Sequence, residues 1–199
     1  MGEAQPCSPQ KREPIAPPRE PLRGGNVVLR LPEPLDVEAI VEFCDDPDVA
    51  RTIWLPLPSP CSHAVAEERV SEFRRGWESS SHFGPTVVIA DAATNHMIGV
   101  AFLHKRDSKT VELSYGVAPA WRGRGVAAQA IRILSHWCLE VRQFDRAELR
   151  IDPSNVASRR TAENAGFARR GTVRTAVPGT GREYEDDLFV MDVAPSVEQ

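Results

Sequence analysis

The chain has 199 residues, 41% of them hydrophobic, which is enough for one sizeable core and cramped for two full domains. A formal net charge of −4 excludes a broad basic face for nucleic acid. Cys7, Cys44, Cys61 and Cys138 show neither Cys-x-x-Cys spacing nor histidines at zinc intervals, so no metal site is expected and the thiols read as reduced, as in the cytoplasm. No apolar stretch approaches the length of a membrane span, and the N-terminus lacks the apolar run of a signal peptide. A cytoplasmic protein without a membrane partner is the expectation.

In chain order, residues 1 to about 24 are a different material from the rest. Pro6, Pro9, Pro14, Pro17, Pro18 and Pro21 alternate with charges and few residues could anchor a core, which predicts a flexible, partly extended tail. One domain is expected over 25–194, followed by a short tail over 195–199. It opens with an alternating strand at 26–31 and an amphipathic helix at 35–44, with Asp36 near its start. A proline-rich loop from Trp54 leads to a second helix at 64–78. Two strands at 85–90 and 97–103 share a turn at 91–96, and a third strand covers 110–117. The long helix at 127–143 places Ala127, Ala130, Ile131, Leu134, Cys138 and Val141 on one apolar face. A strand at 146–152, a helix from Asn155 that closes on Gly166 and Phe167, and a hairpin of strands 167–176 and 183–192 complete the chain. The count is about seven strands and four helices around a mixed sheet, an α/β (α+β) order.

The most informative segment joins strand 110–117 to the helix that follows it. It reads Tyr115-Gly-Val-Ala-Pro-Ala-Trp-Arg-Gly-Arg-Gly-Val-Ala127. A glycine-punctuated turn with two arginines at a helix start suits an anion, because free backbone N–H groups and the helix dipole point outward there. Gly123 and Gly125 allow a close approach that a β-carbon would block. The Gly-Lys-Ser/Thr end of a Walker loop and the three-glycine dinucleotide fingerprint are both absent. An ordinary turn with two solvated arginines remains the alternative reading of this segment taken alone.

Arg122-x-x-Gly125-x-Ala127 resembles the Gln/Arg-x-x-Gly-x-Gly/Ala signature of the GCN5-related N-acetyltransferases (GNAT), where it cradles the acetyl-CoA pyrophosphate. Asn155, followed by a helix closing on Gly166 and Phe167, resembles the next block of that family, in which the Asn contacts the pantetheine arm. The opening strand, the helix around Leu35-Asp-Val-Glu-Ala and the run Asp45-Asp-Pro-Asp-Val-Ala resemble the RimJ/RimL-type ribosomal-protein branch. The resemblance covers residues 26–193 and implies the acyl-CoA N-acyltransferase fold. It implies acetyl-CoA contacts at Tyr115, Gly116, Val117, Arg122, Gly123, Arg124, Gly125, Val126, Ala127, Asn155 and Ser158. Arg159 and Arg160 are further candidates for local positive charge. A homodimer is also expected.

Acetyl transfer requires a neutral amine, a path for its proton and support for the leaving thiolate. Glu112 lies on the strand leading to the loop, where many members of the family carry a basic carboxylate, and alternation puts it on one face with Ser114 and Gly116. The family's usual acid, a Tyr seven residues after the Asn, is replaced here by Ala162. The RimL-like branch has a Ser three residues after the Asn, and Ser158 matches it. The carboxylate of that branch on the following strand aligns with Val177, which favours Glu112 as the base.

The five histidines, His63, His82, His96, His104 and His136, show no ligand or nucleophile spacing. Trp54 is a candidate wall of the acceptor site, and Glu183, Glu185, Asp186 and Asp187 either attract a cationic substrate or form a charged hairpin face. The resemblance implies an acetyl-CoA-dependent N-acetyltransferase. Its acceptor is read as a protein or peptide α-amine, with a small amine or a non-catalytic acyl-CoA-binding role as alternatives.

Overall fold

Continuous apolar runs buried on both faces become the central strands here, and the apolar stripes of period near 3.6 become the helices that cover them. The computed structural model describes residues 15–46, 49, 60–78, 84–176 and 183–193. Its elements are β1 (Leu22–Gly24), β2 (Val27–Arg30), α1 (Val37–Cys44), α2 (His63–Arg75), β3 (Thr86–Asp91), β4 (Met97–Lys105), β5 (Thr110–Val117), α3 (Val126–His136), β6 (Arg146–Ile151), α4 (Val156–Ala165), β7 (Ala168–Ala176) and β8 (Glu183–Asp192). The strands form one mixed sheet in the order β1-β2-β3-β4-β5-β6-β8-β7. Among the described strands only β5 and β6 pair in parallel, and α3 supplies the crossover that a parallel pair needs.

Each face of the sheet has its own core. Val87, Ile89, Leu103, Leu113 and Leu149 pack with Ile131 and Leu134 of α3 and Ala162 and Ala165 of α4. Val88, Ala90, Val100 and Phe102 pack with Ile40 and Phe43 of α1 and Val70 and Phe73 of α2. Phe73 meets Phe102 edge-on, with ring centroids 5.6 Å apart. Cys138 is fully buried, as its place on the apolar helix face requires.

Two boundaries differ from the sequence reading. Leu22–Gly24 pairs with Val27–Leu29, and Ile15 is buried, so the domain takes in part of the stretch read as a tail, and β1 is the eighth described strand. The helix expected over 127–143 is α-helical only to His136. Trp137–Val141 forms a π-helical turn, with Arg142 N–H donating to the Trp137 carbonyl at 3.1 Å. Trp137, Cys138 and Leu139 are consecutive and all buried, and a single 3.6-residue face cannot bury three neighbours; the wider turn can. Trp54, Val177 and the turn at 178–182 lie outside the described residues.

Candidate active site

The parallel ladder between β5 and β6 is short. Its register is Thr110↔Arg146, Val111↔Ala147 and Glu112↔Glu148. Beyond Glu112 and Glu148 the strands part: residues 113–117 keep β4 as their partner and residues 149–151 keep β8. Among the described residues no strand fills the opening, whose mouth is flanked by the N-termini of α3 and α4. Glu112 stands at its closed end.

The loop at the mouth is shaped by backbone. Gly123 and Gly125 adopt φ of +74° and +75°, a left-handed conformation that side chains disfavour. A β-carbon at either position would meet no described residue within 4 Å, so the hollow over these amides is open on that side. Gly125 is the N-cap of α3, and among the described residues no side chain caps this helix. The first intrahelical bond runs from Gln129 N–H to the Gly125 carbonyl at 3.0 Å, which leaves the first-turn N–H groups available to an anion. These features fit a pyrophosphate.

The two loop arginines divide their work. Arg122 Nε donates to the Val117 carbonyl at 3.0 Å, and its guanidinium also pairs with Asp46 beyond α1. Its charge is therefore partly spent on bracing the loop. Arg124 lies over the Trp121 ring, 5.2 Å from its centroid. Of the arginines on α4, Arg159 is tied to buried Asp187 at 3.2 Å, with Arg169 on the same carboxylate at 2.8 Å. The Arg169 hydrogen bond, then the Arg169 and Arg159 charges, hold Asp187 below the usual carboxylate range against the opposing effect of burial. Asp187 is thus a clamp between α4, β7 and β8, while Glu183 and Glu185 are exposed.

Helix α4 brings the sequence-predicted Asn155 and Ser158 together with Tyr115. Asn155 is its N-cap, and Oδ1 accepts from Ser158 N–H at 3.0 Å. Ser158 Oγ and Tyr115 Oη are 2.9 Å apart. Tyr115 reaches α4 from the α3/α4 side of β5. Burial pushes its phenol up, while the Ser158 and Thr161 hydroxyls act in the opposite direction. Ala162, next to Thr161, is fully buried against the core.

Glu112 faces the other way. Its cross-strand partner is His104, and Ser114 pairs with Phe102 of the α1/α2 core, so Glu112, Ser114 and Gly116 share the face the alternation predicts. The Glu112 carboxylate lies 2.5 Å from Arg106 Nε and 3.2 Å from Arg150 Nε. Neither contact is aligned as a hydrogen bond to Oε2, which keeps a lone pair open. Burial, and secondarily Arg106, push the His104 imidazole below the usual histidine range, so it is neutral at pH 7. Arg106, Arg150, Asp46 and the Asp187 clamp were not legible in the sequence. Alternation gives Arg150 the face of Glu148, but only the β5–β6 register brings it to Glu112.

A family model described as "Acetyltransferase (GNAT) domain" matches residues 26–168, and the chain belongs to this family of acetyltransferases. Its relatives include "Putative ribosomal N-acetyltransferase YdaF" of Bacillus subtilis, 23% identical over 80% of this chain and 87% of that protein. "L-amino acid N-acetyltransferase AaaT" of Escherichia coli is 26% identical over 84% of this chain and 98% of its own length. Among solved structures, the microcin C7 self-immunity acetyltransferase MccE, in complex with acetyl-CoA and AMP, superposes with a TM-score of 0.67 at 15% identity, covering 85% of this chain and 94% of that one. Acetyltransferases of this family use acetyl-CoA. No helix among the described residues is long and apolar enough to cross a membrane, and none of their His, Cys, Asp and Glu side chains group as a metal site.

Proposed function

We propose that this N-acetyltransferase moves the acetyl group of acetyl-CoA to the α-amine of a protein or peptide N-terminus, by direct transfer with both substrates bound. The observation that carries this reading is the opening between β5 and β6, which runs from a loop suited to pyrophosphate to a carboxylate at its closed end. The amides of Gly123, Arg124, Gly125, Val126 and Ala127 hold the pyrophosphate, Arg122 braces the loop, and Arg124 adds charge. Tyr115, Gly116 and Val117 on one side and Asn155 and Ser158 on the other line the path of the pantetheine arm. Acetyl-CoA supplies the activated thioester when bound.

Glu112 takes the proton of the attacking amine, directly or through a water. An α-amine of pKa about 8 is largely protonated at neutral pH, so a base near it contributes. Arg106 and Arg150 fix the orientation of the carboxylate. Ser158 lies on the opposite face of β5, where it supports the leaving sulfur. Base and sulfur support thus stand on opposite sides of the strand gap, which suits a thioester threaded through it.

The resemblance of the first helix region to the ribosomal-protein branch, and the name carried by YdaF, support a protein acceptor. A free amino acid is the second reading, favoured by the match to nearly the whole of AaaT. Three buried free thiols, Cys44, Cys61 and Cys138, fit the cytoplasm. Thiol release from acetyl-CoA against serine- and alanine-initiated peptides, free amino acids and polyamines separates these acceptors, with mass spectrometry locating the acetyl group. Acetylation of peptide α-amines is expected. Turnover with free amino acids alone overturns the protein-acceptor reading.

A further inference from the structure

Ser158 as the proton donor to sulfur meets a chemical obstacle. An alcohol that surrenders its proton leaves an alkoxide, about as unfavourable as forming hydroxide from water (pKa about 15.7). The leaving thiolate is a far weaker base, with a pKa near 8.5 for an ordinary thiol. Ser158 therefore needs a proton from elsewhere at the moment it gives one up.

Tyr115 stands where that proton is needed. Its Oη is 2.9 Å from Ser158 Oγ. The Asn155 cap fixes the Ser158 backbone at 3.0 Å, so the serine oxygen has a defined position in the first turn of α4. A phenol, ordinarily near pKa 10, is a much stronger acid than an alcohol. Its burial favours the protonated phenol, and a proton donated by the Ser158 hydroxyl favours the anion once it forms. Buried Ala162 marks where the family's helix-borne Tyr is missing; here the aromatic ring reaches the same helix from β5 and packs against the same core.

We propose that Tyr115 and Ser158 form a two-hydroxyl proton relay, in which Ser158 passes its proton to the leaving sulfur while taking the phenol proton of Tyr115. The inference rests on the proposed placement of Ser158 beside the sulfur. The bond from acceptor nitrogen to the carbonyl carbon forms and the C–S bond breaks. The C–S electron pair stays on sulfur and takes the Ser158 proton, and the O–H pair of Tyr115 stays on the phenolate. The proton that Glu112 takes from the nitrogen returns to Tyr115 through solvent, so the net change is acetyl transfer and a free thiol. Tyr115 acts through Ser158 and is a positioning residue.

The test is a double-mutant cycle of Tyr115→Phe and Ser158→Ala on single-turnover thiol release, with a serine-initiated peptide and with water as acceptors in parallel. Each single variant is expected to slow the chemical step by about 10²-fold, with the double variant no slower than the slower single. The Kd for acetyl-CoA should stay within about twofold, and Ser158→Thr should restore most of the rate. A second readout needs no turnover. The chain has two tyrosines, so in a Tyr184→Phe background the tyrosinate absorbance reports Tyr115 alone. There Ser158→Ala should move the phenol titration to higher pH, since a hydrogen bond that favours the anion is lost. Tyr115→Phe within about twofold of wild type while Ser158→Ala is slow, or effects that multiply, would overturn the relay and leave Ser158 at the sulfur. Ser158→Ala at the wild-type rate overturns both, and an unmoved titration overturns the relay.

Discussion

The two sides of the β5–β6 opening are built by different means. On the α3/α4 side the groups are backbone amides, two left-handed glycines and helix N-termini, all set by residues near one another in the chain. On the α1/α2 side the groups are charges: Glu112 of β5 between Arg106 of the β4–β5 turn and Arg150 of β6. A site for an invariant phosphate can be fixed by local conformation. A site that manages a proton depends on tertiary placement of side chains, where register decides which charge meets which.

If that contrast is right, the largest loss should come from the backbone side. Gly125→Val puts a β-branched residue at φ +75° and a side chain in the open hollow over the amides. CoA binding by calorimetry should fall below detection in a variant whose circular dichroism is unchanged. An unaltered Kd in the folded variant removes pyrophosphate from this loop.

On the charged side, Glu112→Gln should lower kcat by about 10²–10⁴-fold with little change in CoA affinity. Raising the pH should restore part of the rate, because more of the amine is then neutral. Wild-type turnover at pH 7 moves the base elsewhere, with neutral His104 across the ladder as the first group to replace.

These two variants also mark what was legible. The signature from Arg122 to Ala127 and the Asn155 cap are short-range patterns, so sequence alone located both helix N-termini. The strands at 110–117 and 183–192 were readable for the same reason, since a period of two is local. The partner of Arg122 was not, because Asp46 lies 76 residues away. Asp187 read as one acid in a charged hairpin, yet it is buried between arginines from α4 and β7. The end of the α3 stripe was misjudged as a continuing α-helix, because three adjacent buried residues favour the wider turn.

Asp187→Asn tests the clamp behind the backbone side. It should lower Tm by roughly 5 °C at pH 7, since two guanidinium groups lose their carboxylate. The native pKa of Asp187 is depressed, so its contribution is complete above about pH 4 and is lost as pH falls through the native value. The Tm curves of wild type and variant should therefore converge in acid. Parallel curves down to low pH would contradict the clamp. The smallest effect is expected at Arg124→Ala. It should weaken CoA by a few-fold, roughly 1 kcal/mol, and flatten the salt dependence of binding while leaving kcat unchanged.

The most direct test of the account is an amide NMR titration of the labelled protein with CoA. The prediction is that the largest shifts fall on Gly123, Gly125, Val126 and Ala127, on Ser114 and Tyr115 along β5, and on Ser158 across the opening. Shifts confined to other strands, or none at saturating CoA, would contradict the assignment of the β5–β6 opening as the acetyl-CoA site.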